Sequence, residues 1–257
     1  MQKPNTLVIA GHDPSGGAGI QADIEAIAAA GGHAATLVTA LTCQDTANVY
    51  DVRVTDDAFF ADCLARVVHD MTLNALKTGV LASRFQVEQV AALAGDHPDM
   101  PIVIDPVLVA SGGGRLAEDL VGRCIRDTLL PRATLATPNA REARALCDDE
   151  PDLARCGREL ARAGGYVLIT GGDTPGHTVV NRLFDASGEI ERYTWPRLDG
   201  VFHGSGCTLA SSIAARLAAG QAIERAVHDA QKAVQAMLAG AFNAGRGQAV
   251  PDRLIAR

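Results

Sequence analysis

The chain has 257 residues, of which 47% are hydrophobic and 21% charged, with a formal net charge of −7 at pH 7. This composition excludes a disordered or collagen-like chain, and the acidic balance argues against nucleic acid as the main partner. No apolar run approaches the roughly 18 residues that a membrane span needs. The cysteines lack the spacing of a zinc site or a disulfide framework, which favours a reduced, cytoplasmic protein. The length predicts a single domain over residues 1–257.

The first half of the chain predicts strands and helices in alternation. Residues 6–10 form a short apolar run that ends at a glycine, as a buried parallel strand does, and residues 20–30 carry the apolar spacing of a helix. The same patterns predict strands at 35–41, 75–78 and 102–104, and helices at 56–68, 85–93 and 117–129. This alternation predicts an α/β fold with a mostly parallel central sheet and helices on both of its faces.

The second half continues the alternation and adds an antiparallel edge. Strands are predicted at 133–136 and 166–170, together with a helix that opens at Asn139 and two alanine-rich helices after Gly206. Residues 178–184 and 190–195, joined by a turn that contains Gly188, predict an antiparallel hairpin at the edge of the sheet. Parallel sheets bind ligands beyond the carboxyl ends of their strands. The loops after residues 10, 41, 78, 104, 136 and 170 are therefore the predicted site.

The loop after the first strand is rich in glycine, which lets a ligand or a neighbouring backbone approach the next helix closely. Gly11 and Gly16 have the spacing of a P-loop, but Gly17 and Ala18 stand where its Lys and its Ser or Thr are needed. A P-loop is therefore excluded. The stretch from Gly17 to Ala22 matches the dinucleotide pattern G-x-G-x-x-A, although it begins far beyond the strand. This match keeps an NAD-dependent oxidoreductase as an alternative.

A second glycine loop, Gly204-Ser205-Gly206, leads into a helix of small residues that has Cys207 in its first turn. The unpaired N–H groups of that turn and the positive end of the helix dipole would bind an anion. The same field is expected to lower the pKa of the Cys207 thiol from about 8.5 toward neutrality, which would make it a base or a nucleophile. The alternative is an inert, buried cysteine.

Polar residues at or near the other loops are candidate ligands. Asp105 follows the strand at 102–104, where its carboxylate could hold Mg²⁺ or a phosphate-bound water, or could simply begin a turn. Asn139 and Glu142 have the spacing of a capping box, which explains both residues without any ligand. Gln44 and Asp23 could hydrogen-bond a heteroaromatic ligand or the chain itself.

Taken in order, sequence blocks from residue 11 to about residue 211 resemble the hydroxymethylpyrimidine/phosphomethylpyrimidine kinases, which belong to the ribokinase-like superfamily. The combination of the first block with Gly-Ser-Gly-Cys-Thr is far more specific than any block alone. The blocks are Gly-His-Asp-Pro-Ser-Gly-Gly-Ala-Gly-Ile-Gln-Ala-Asp at 11–23, Thr-Cys-Gln-Asp-Thr at 42–46, Lys-Thr-Gly-Val-Leu-Ala at 77–82, Asp-Pro-Val at 105–107, Thr-Pro-Asn-Ala-Arg-Glu-Ala at 137–143 and His-Gly-Ser-Gly-Cys-Thr at 203–208.

The resemblance implies a ribokinase-like α/β fold and a kinase of thiamine biosynthesis. Such a kinase uses ATP and Mg²⁺ to phosphorylate 4-amino-5-hydroxymethyl-2-methylpyrimidine and then its monophosphate. The family also implies a homodimer whose partners are these small molecules, with no nucleic acid or membrane. By position, the resemblance assigns catalysis to Gly204, Ser205, Gly206 and Cys207, pyrimidine binding to Gln44, Asp23, Gly11 and Val80, nucleotide binding to Thr137, Asn139, Thr170 and Gly172, and metal binding to Asp105 and Glu142.

The chain departs from the family pattern in two places. Many relatives have Lys-Gly-Gly-His where this chain has Thr170-Gly171-Gly172-Asp173, so a phosphate-neutralising cation is missing here. The missing charge keeps a pyrimidine-binding protein without catalysis as an alternative. Val80 replaces a methionine that is common beside the pyrimidine, and it keeps that wall apolar. A ribokinase-like kinase for pyridoxal is a further alternative, since the scaffold and the anion-binding amides would be shared.

Overall fold

A computed structural model describes residues 3–108 and 119–254 of the chain. Its strands are β1 Asn5–His12, β2 His33–Gln44, β3 Val49–Val54, β4 Ala75–Thr78, β5 Ile102–Ile104, β6 Leu135–Ala136, β7 Tyr166–Ile169, β8 Thr178–Asp185 and β9 Gly188–Pro196. In this part of the chain they form one sheet in the order β3-β2-β1-β4-β5-β6-β7-β8-β9. Neighbours from β2 to β7 are parallel, whereas β3, β8 and β9 pair antiparallel at the two edges. The single-domain organisation of the chain stays a prediction.

Helices cover both faces of the sheet. They are α1 Gly19–Ala29, α2 Asp57–Asp70, α3 Arg84–Asp96, α4 Asp119–Cys124, α5 Ala140–Leu146, α6 Leu153–Ala163, α7 Ser205–Ala218 and α8 Ile223–Ala239. Alternate residues of β1 point to opposite faces, as the two-residue period of a strand requires. Leu7 and Ile9 pack in the cluster that holds residues of α2 to α6, while Val8 packs against Ile27 of α1 and Ala215 of α7. The predicted fold class is confirmed.

Several of the predicted elements agree with the structure. The strands predicted at 75–78 and 102–104 are β4 and β5, and the predicted edge hairpin is formed by β8 and β9. The helix predicted to open at Asn139 is α5, with Asn139 as its N-cap. The strand predicted at 133–136 is shorter, because a 3₁₀ turn over Leu130–Arg132 precedes it.

Three features differ from the sequence predictions. β2 continues to Gln44 and turns into β3, which was not predicted although Tyr50, Val52 and Val54 alternate with Asp51 and Arg53 at strand spacing. α6 was also missed, although Cys156, Leu160 and Ala161 form a buried face at helical spacing. Of the helix predicted at 117–129, residues 117–118 lie outside the described residues, and a π-helical turn over Ile125–Leu129 continues α4.

The parallel strands place their carboxyl ends along one edge of the sheet. The loops after β1, β2, β4, β5, β6 and β7 therefore meet there, together with the loop that leads into α7. In the described part of the chain, no helix has the length and apolar character that crossing a bilayer requires.

Candidate active site

A cleft of about 690 Å³ lies along this edge of the sheet. Loops from six parallel strands and the first turn of α7 form its walls. All but one of the residues that the sequence singled out as site candidates line this cleft, and Asp23 is the exception. The lining candidates are Gly11, Gln44, Val80, Asp105, Thr137, Asn139, Glu142, Thr170, Gly172, Gly204, Ser205, Gly206 and Cys207.

The N-terminus of α7 presents backbone N–H groups to the cleft. Gly204 is the N-cap with φ 76°, a left-handed conformation that favours glycine. The helix ladder begins where the N–H of Thr208 donates to the carbonyl of Gly204 at 2.9 Å. The amides of Ser205, Gly206 and Cys207 therefore stand outside the ladder, at the positive end of the helix dipole. This arrangement can bind a transferring phosphoryl group.

The glycine loop after β1 packs against the glycine loop that precedes α7 and hydrogen-bonds to it. Asp13 accepts hydrogen bonds from the backbone N–H groups of Ser15 and Ala18, each at 2.8 Å, and its Oδ2 lies 2.8 Å from Nε2 of His203. Burial would raise the pKa of the Asp13 carboxyl, but these hydrogen bonds lower it below its ordinary value. A Cβ at Gly17 would lie 2.1 Å from the ring of His203. The neighbour that this loop approaches is thus the second glycine loop, which leaves no room for a pyrophosphate at Gly17.

The environment of Cys207 differs from the sequence expectation. Burial raises the pKa of the Cys207 thiol to about 12; Lys77 opposes this shift, whereas Asp105 and Asp23 add to it. The helix field therefore does not produce a low pKa, and the expectation of a thiol near neutrality is wrong. The thiol still lines the cleft, within reach of the N–H of Gly19.

Asp23 lies behind the cleft wall in a buried ion pair and does not line the cleft, so its assignment to the pyrimidine stays a prediction that this position does not favour. Nζ of Lys77 lies 2.7 Å from Oδ1 of Asp23, both side chains are fully buried, and Oγ of Ser211 donates to the same oxygen at 2.6 Å. Burial would lower the pKa of Lys77, but the carboxylate of Asp23, with Cys207 and Asp105, raises it above its ordinary value. Sequence reasoning missed Lys77 as a partner, because β1, α1 and β4 must assemble before the two residues meet.

Asp105 and Glu142 bring carboxylates to the middle of the cleft. Oδ2 of Asp105 is buried and has no hydrogen-bond partner among the described residues. Burial raises the pKa of Asp105, and Lys77 opposes that shift. Glu142 forms the capping box that its spacing indicates: its carboxylate accepts from the N–H of Asn139 at 3.0 Å, and its own N–H donates to Oδ1 of Asn139 at 2.9 Å. Burial, with the nearby charge of Asp105, also raises the pKa of Glu142.

Within residues 3–108 and 119–254, no group of three or more His, Cys, Asp or Glu side chains could hold a metal alone. A metal here would need oxygen ligands from a substrate as well, which is how Mg²⁺ binds beside phosphates. The free oxygen of Asp105 fits that use.

The loop after β7 lies against the start of α5. The N–H of Thr170 donates to the carbonyl of Pro138 at 2.9 Å. The carboxylate of Asp173 accepts from the backbone N–H of Ala140 at 3.3 Å and of Arg141 at 2.9 Å. Asp173 therefore connects this loop to the first turn of α5.

Arg197 is a cleft residue that sequence reasoning missed. Its guanidinium donates to the carbonyls of Gly172 at 3.1 Å, Thr174 at 2.6 Å and Gly176 at 2.7 Å. It reaches this loop from the end of β9, outside the parallel strands that the sequence pointed to. A cation is thus present beside the loop after β7.

A second lobe of the cleft has apolar walls and was also missed, because its residues come from β8, β9, the loop after β9, α7 and α8. Its centre is a buried polar network in which Nδ2 of Asn181 and Nε1 of Trp195 donate to Oε1 of Gln231 at 2.8 Å and 3.0 Å. The apolar residues around this network are Val179, Leu198, Leu209, Val234 and Leu238. A lobe with flat apolar walls and a few polar groups suits a heteroaromatic base.

The sheet is mostly parallel with antiparallel edges, and at its carboxyl edge the N-terminus of α7, between glycines, faces a buried carboxylate. This combination places the chain in the class of ribokinase-like small-molecule kinases. Within that class, the chain belongs to the phosphomethylpyrimidine kinase family, whose model matches residues 13–252.

Individual relatives agree with this assignment. A hydroxymethylpyrimidine/phosphomethylpyrimidine kinase of Streptomyces coelicolor is 39% identical over 95% of this chain and 92% of its own length. A thiamine biosynthesis bifunctional protein of Geobacter sulfurreducens is 35% identical over 98% of this chain. The chain spans about half of that relative's length, 52%, and less of several other multifunctional relatives. The ADP complex of a Bacillus subtilis pyridoxal kinase matches with a TM-score of 0.90 and 27% identity over 98% of both chains.

Proposed function

We propose that the chain uses ATP to phosphorylate the hydroxymethyl group of 4-amino-5-hydroxymethyl-2-methylpyrimidine, and then phosphorylates the monophosphate to the diphosphate, in thiamine biosynthesis. One observation carries this proposal: the sulfur of Cys207 and the first-turn amides of α7 share a cleft with Gln44. The name of the Streptomyces relative supports both substrates.

The pyrimidine binds between the ends of β1, β2 and β4. The side-chain amide of Gln44 both donates and accepts, which matches the adjacent ring nitrogen and amino group of an aminopyrimidine edge. Gly11 leaves room beside the ring, and Val80 supplies an apolar wall. The hydroxymethyl group then points toward Cys207.

The nucleotide occupies the other half of the cleft. Its adenine base lies in the apolar lobe around Trp195, and its phosphates run past Thr137, Asn139, Thr170 and Gly172 toward the N-terminus of α7. Arg197 supplies positive charge on this path, although its guanidinium also holds the loop after β7.

Asp105 and Glu142 are the residues that would hold Mg²⁺, because both are buried carboxylates in the cleft and Oδ2 of Asp105 has no partner among the described residues. The ion, when bound, would neutralise charge that develops on the phosphates.

The chain's own groups position the reactants and move one proton. The amides of Ser205, Gly206 and Cys207 hold the γ-phosphoryl group, where preorganised donors stabilise developing charge. The Cys207 thiolate accepts the hydroxyl proton while the alcohol oxygen bonds to phosphorus and ADP leaves. The ammonium of Lys77 favours the thiolate and so opposes burial, which raises the pKa of the thiol.

The deciding experiment incubates the protein with Mg-ATP and the pyrimidine, then identifies the monophosphate and diphosphate by mass. Cys207→Ala should remove most turnover, by about a hundredfold or more, and leave pyrimidine binding intact. Full activity in that variant would dismiss the base role. Absence of any phosphorylated product from the wild type would favour a binding protein without catalysis.

Pyridoxal is the second candidate acceptor, because the Bacillus pyridoxal kinase matches the fold so closely. Steady-state assays on both alcohols separate the two activities. Reduction of NAD without ATP turnover would instead favour the oxidoreductase alternative.

The homodimer is part of the same proposal. β3 lies at the edge of the sheet, and Tyr50 and Val54 on it are exposed, as a strand buried by a second copy would be in an isolated chain. Light scattering of the purified protein should give twice the mass of one chain.

A further inference from the structure

The segment at residues 245–253 runs beside the cleft and contacts three of the segments around it in turn. Its first contact is with the turn between β2 and β3. The N–H of Gly247 donates to Oγ1 of Thr46 at 2.9 Å, and the N–H of Gln248 donates to the carbonyl of Thr46 at 2.8 Å. A Cβ at Gly247 would lie 2.3 Å from that carbonyl oxygen. The close approach therefore requires glycine and fixes the turn that follows Gln44.

The second contact is with the strand-like stretch before the glycine loop of α7. The N–H of Ala249 donates to the carbonyl of Val201 at 2.9 Å, and the N–H of His203 donates back to Ala249 at 2.8 Å. Ala249 is thus hydrogen-bonded to His203, the residue that immediately precedes Gly204.

The third contact is made by Arg253, whose side chain is fully buried at the junction of the two glycine loops. Its Nε donates to Oγ1 of Thr208 at 2.9 Å, and its guanidinium also donates to the carbonyls of Gly16 and Gly17. Glu25 supplies the counter-charge at 3.0 Å. A planar guanidinium with several fixed donors can hold all of these acceptors at once, whereas a lysine ammonium cannot.

The hydrogen bonds of Arg253 affect the position of the anion-binding amides in the first turn of α7. The carbonyl oxygen of Gly17 lies so close to Gly204 that a Cβ there would approach it to 2.0 Å. Thr208 in turn donates its hydroxyl to the carbonyl of Gly204 at 2.7 Å. Arg253 is therefore hydrogen-bonded to Gly17 and Thr208, the two residues that fix the position of Gly204. Because Gly204 is the N-cap of α7, its position sets the direction of the first-turn amides.

We propose that Arg253 is a positioning residue for the first-turn amides of α7, and that residues 245–253 set the separation between those amides and Gln44. This inference rests on the proposed function. Sub-ångström displacement of groups that act on a reacting centre lowers turnover far more than it lowers binding.

The first test compares Arg253→Lys with wild type in steady-state kinetics. We expect kcat to fall about tenfold or more while the KM for the pyrimidine stays unchanged. Arg216→Lys is the control, since it alters a partly buried arginine at the opposite, C-terminal end of α7, and it should leave kcat unchanged. In Arg253→Ala, added guanidinium should restore kcat, whereas methylammonium should not.

Gly247→Ala tests the other end of the segment. Displacement of the turn at Thr46 should raise the KM for the pyrimidine with little change in kcat, the opposite of the Arg253 pattern. The positioning role would be overturned if kcat fell equally in Arg253→Lys and Arg216→Lys and if each fall followed the decrease in that variant's melting temperature. An unchanged KM in Gly247→Ala would overturn the part assigned to the segment.

Hydrogen exchange separates this inference from the proposed function. In Arg253→Lys, peptides that cover residues 11–19 and 203–209 should lose protection, while α2 keeps its protection. Loosening of both loops supports the positioning role even if the wild type phosphorylates neither alcohol, which would refute the proposed function alone. Unchanged exchange in both loops would refute the positioning role whatever the substrate is.

Discussion

Asp23→Asn decides between two roles for Asp23, a contact to the pyrimidine and the counter-charge of Lys77. The structure favours the second role, because the two side chains are fully buried 2.7 Å apart. Removing one partner of a buried pair leaves the other charge uncompensated, which costs about 3–5 kcal/mol. Since domains unfold with about 5–15 kcal/mol in total, the loss is a large fraction of the stability.

Urea unfolding measures this loss, and a double variant tests its cause. Lys77→Met in the Asp23→Asn background removes the unpaired ammonium and should recover most of the lost free energy of unfolding. Asp23→Asn alone should retain the wild-type KM for the pyrimidine in the fraction that stays folded. A loss below about 1 kcal/mol combined with a raised KM would refute the reasoning and return Asp23 to the substrate.

The pH dependence of stability is a second test of the ion pair between Asp23 and Lys77. In wild type the pKa of Lys77 is raised above its ordinary value, because Asp23 outweighs the effect of burial. Its stabilising contribution is therefore complete below the unfolded pKa and is lost only as the pH rises through the folded value. In Asp23→Asn, burial without a partner lowers the pKa of Lys77, so this variant should gain stability relative to wild type as the pH rises from about 7 to 9.

Two further predictions concern the reaction itself. Gln44→Ala should raise the KM for the pyrimidine about tenfold or more and leave the KM for ATP unchanged, because Gln44 lines the cleft and the proposed function assigns it to the pyrimidine; equal effects on both constants would contradict this division. Because burial raises the pKa of Cys207 to about 12, kcat/KM should rise steadily between about pH 6 and pH 9, and a profile that is flat over this range would exclude Cys207 as the base.

Local sequence patterns were sufficient for the parallel core and for much of the cleft wall. β5 is an apolar run buried on both faces, so its strand character is legible from its own residues. The capping box of Asn139 and Glu142 closes within one helical turn. The position of the cleft follows from these elements, since parallel strands must end at the same edge.

Three features of the site depend on residues far apart in the chain. Asp23 meets Lys77 only after α1 and β4 pack on β1, so its sequence neighbours could not show whether it faces ligand or core. Arg253 reaches Gly17 and Thr208 in the same way. The expectation for Cys207 was wrong because a helix N-terminus is a local property, whereas the burial that raises its pKa comes from every element packed around it.

The sequence by itself therefore indicated most of the helices, the buried parallel strands and the two glycine loops. The tertiary structure alone decided which charges are paired, which are left facing the cleft and how protonated each one is. The physical reason is range: backbone preferences and side-chain periodicity act over a few residues, whereas desolvation and Coulomb interactions depend on everything within several ångströms in space.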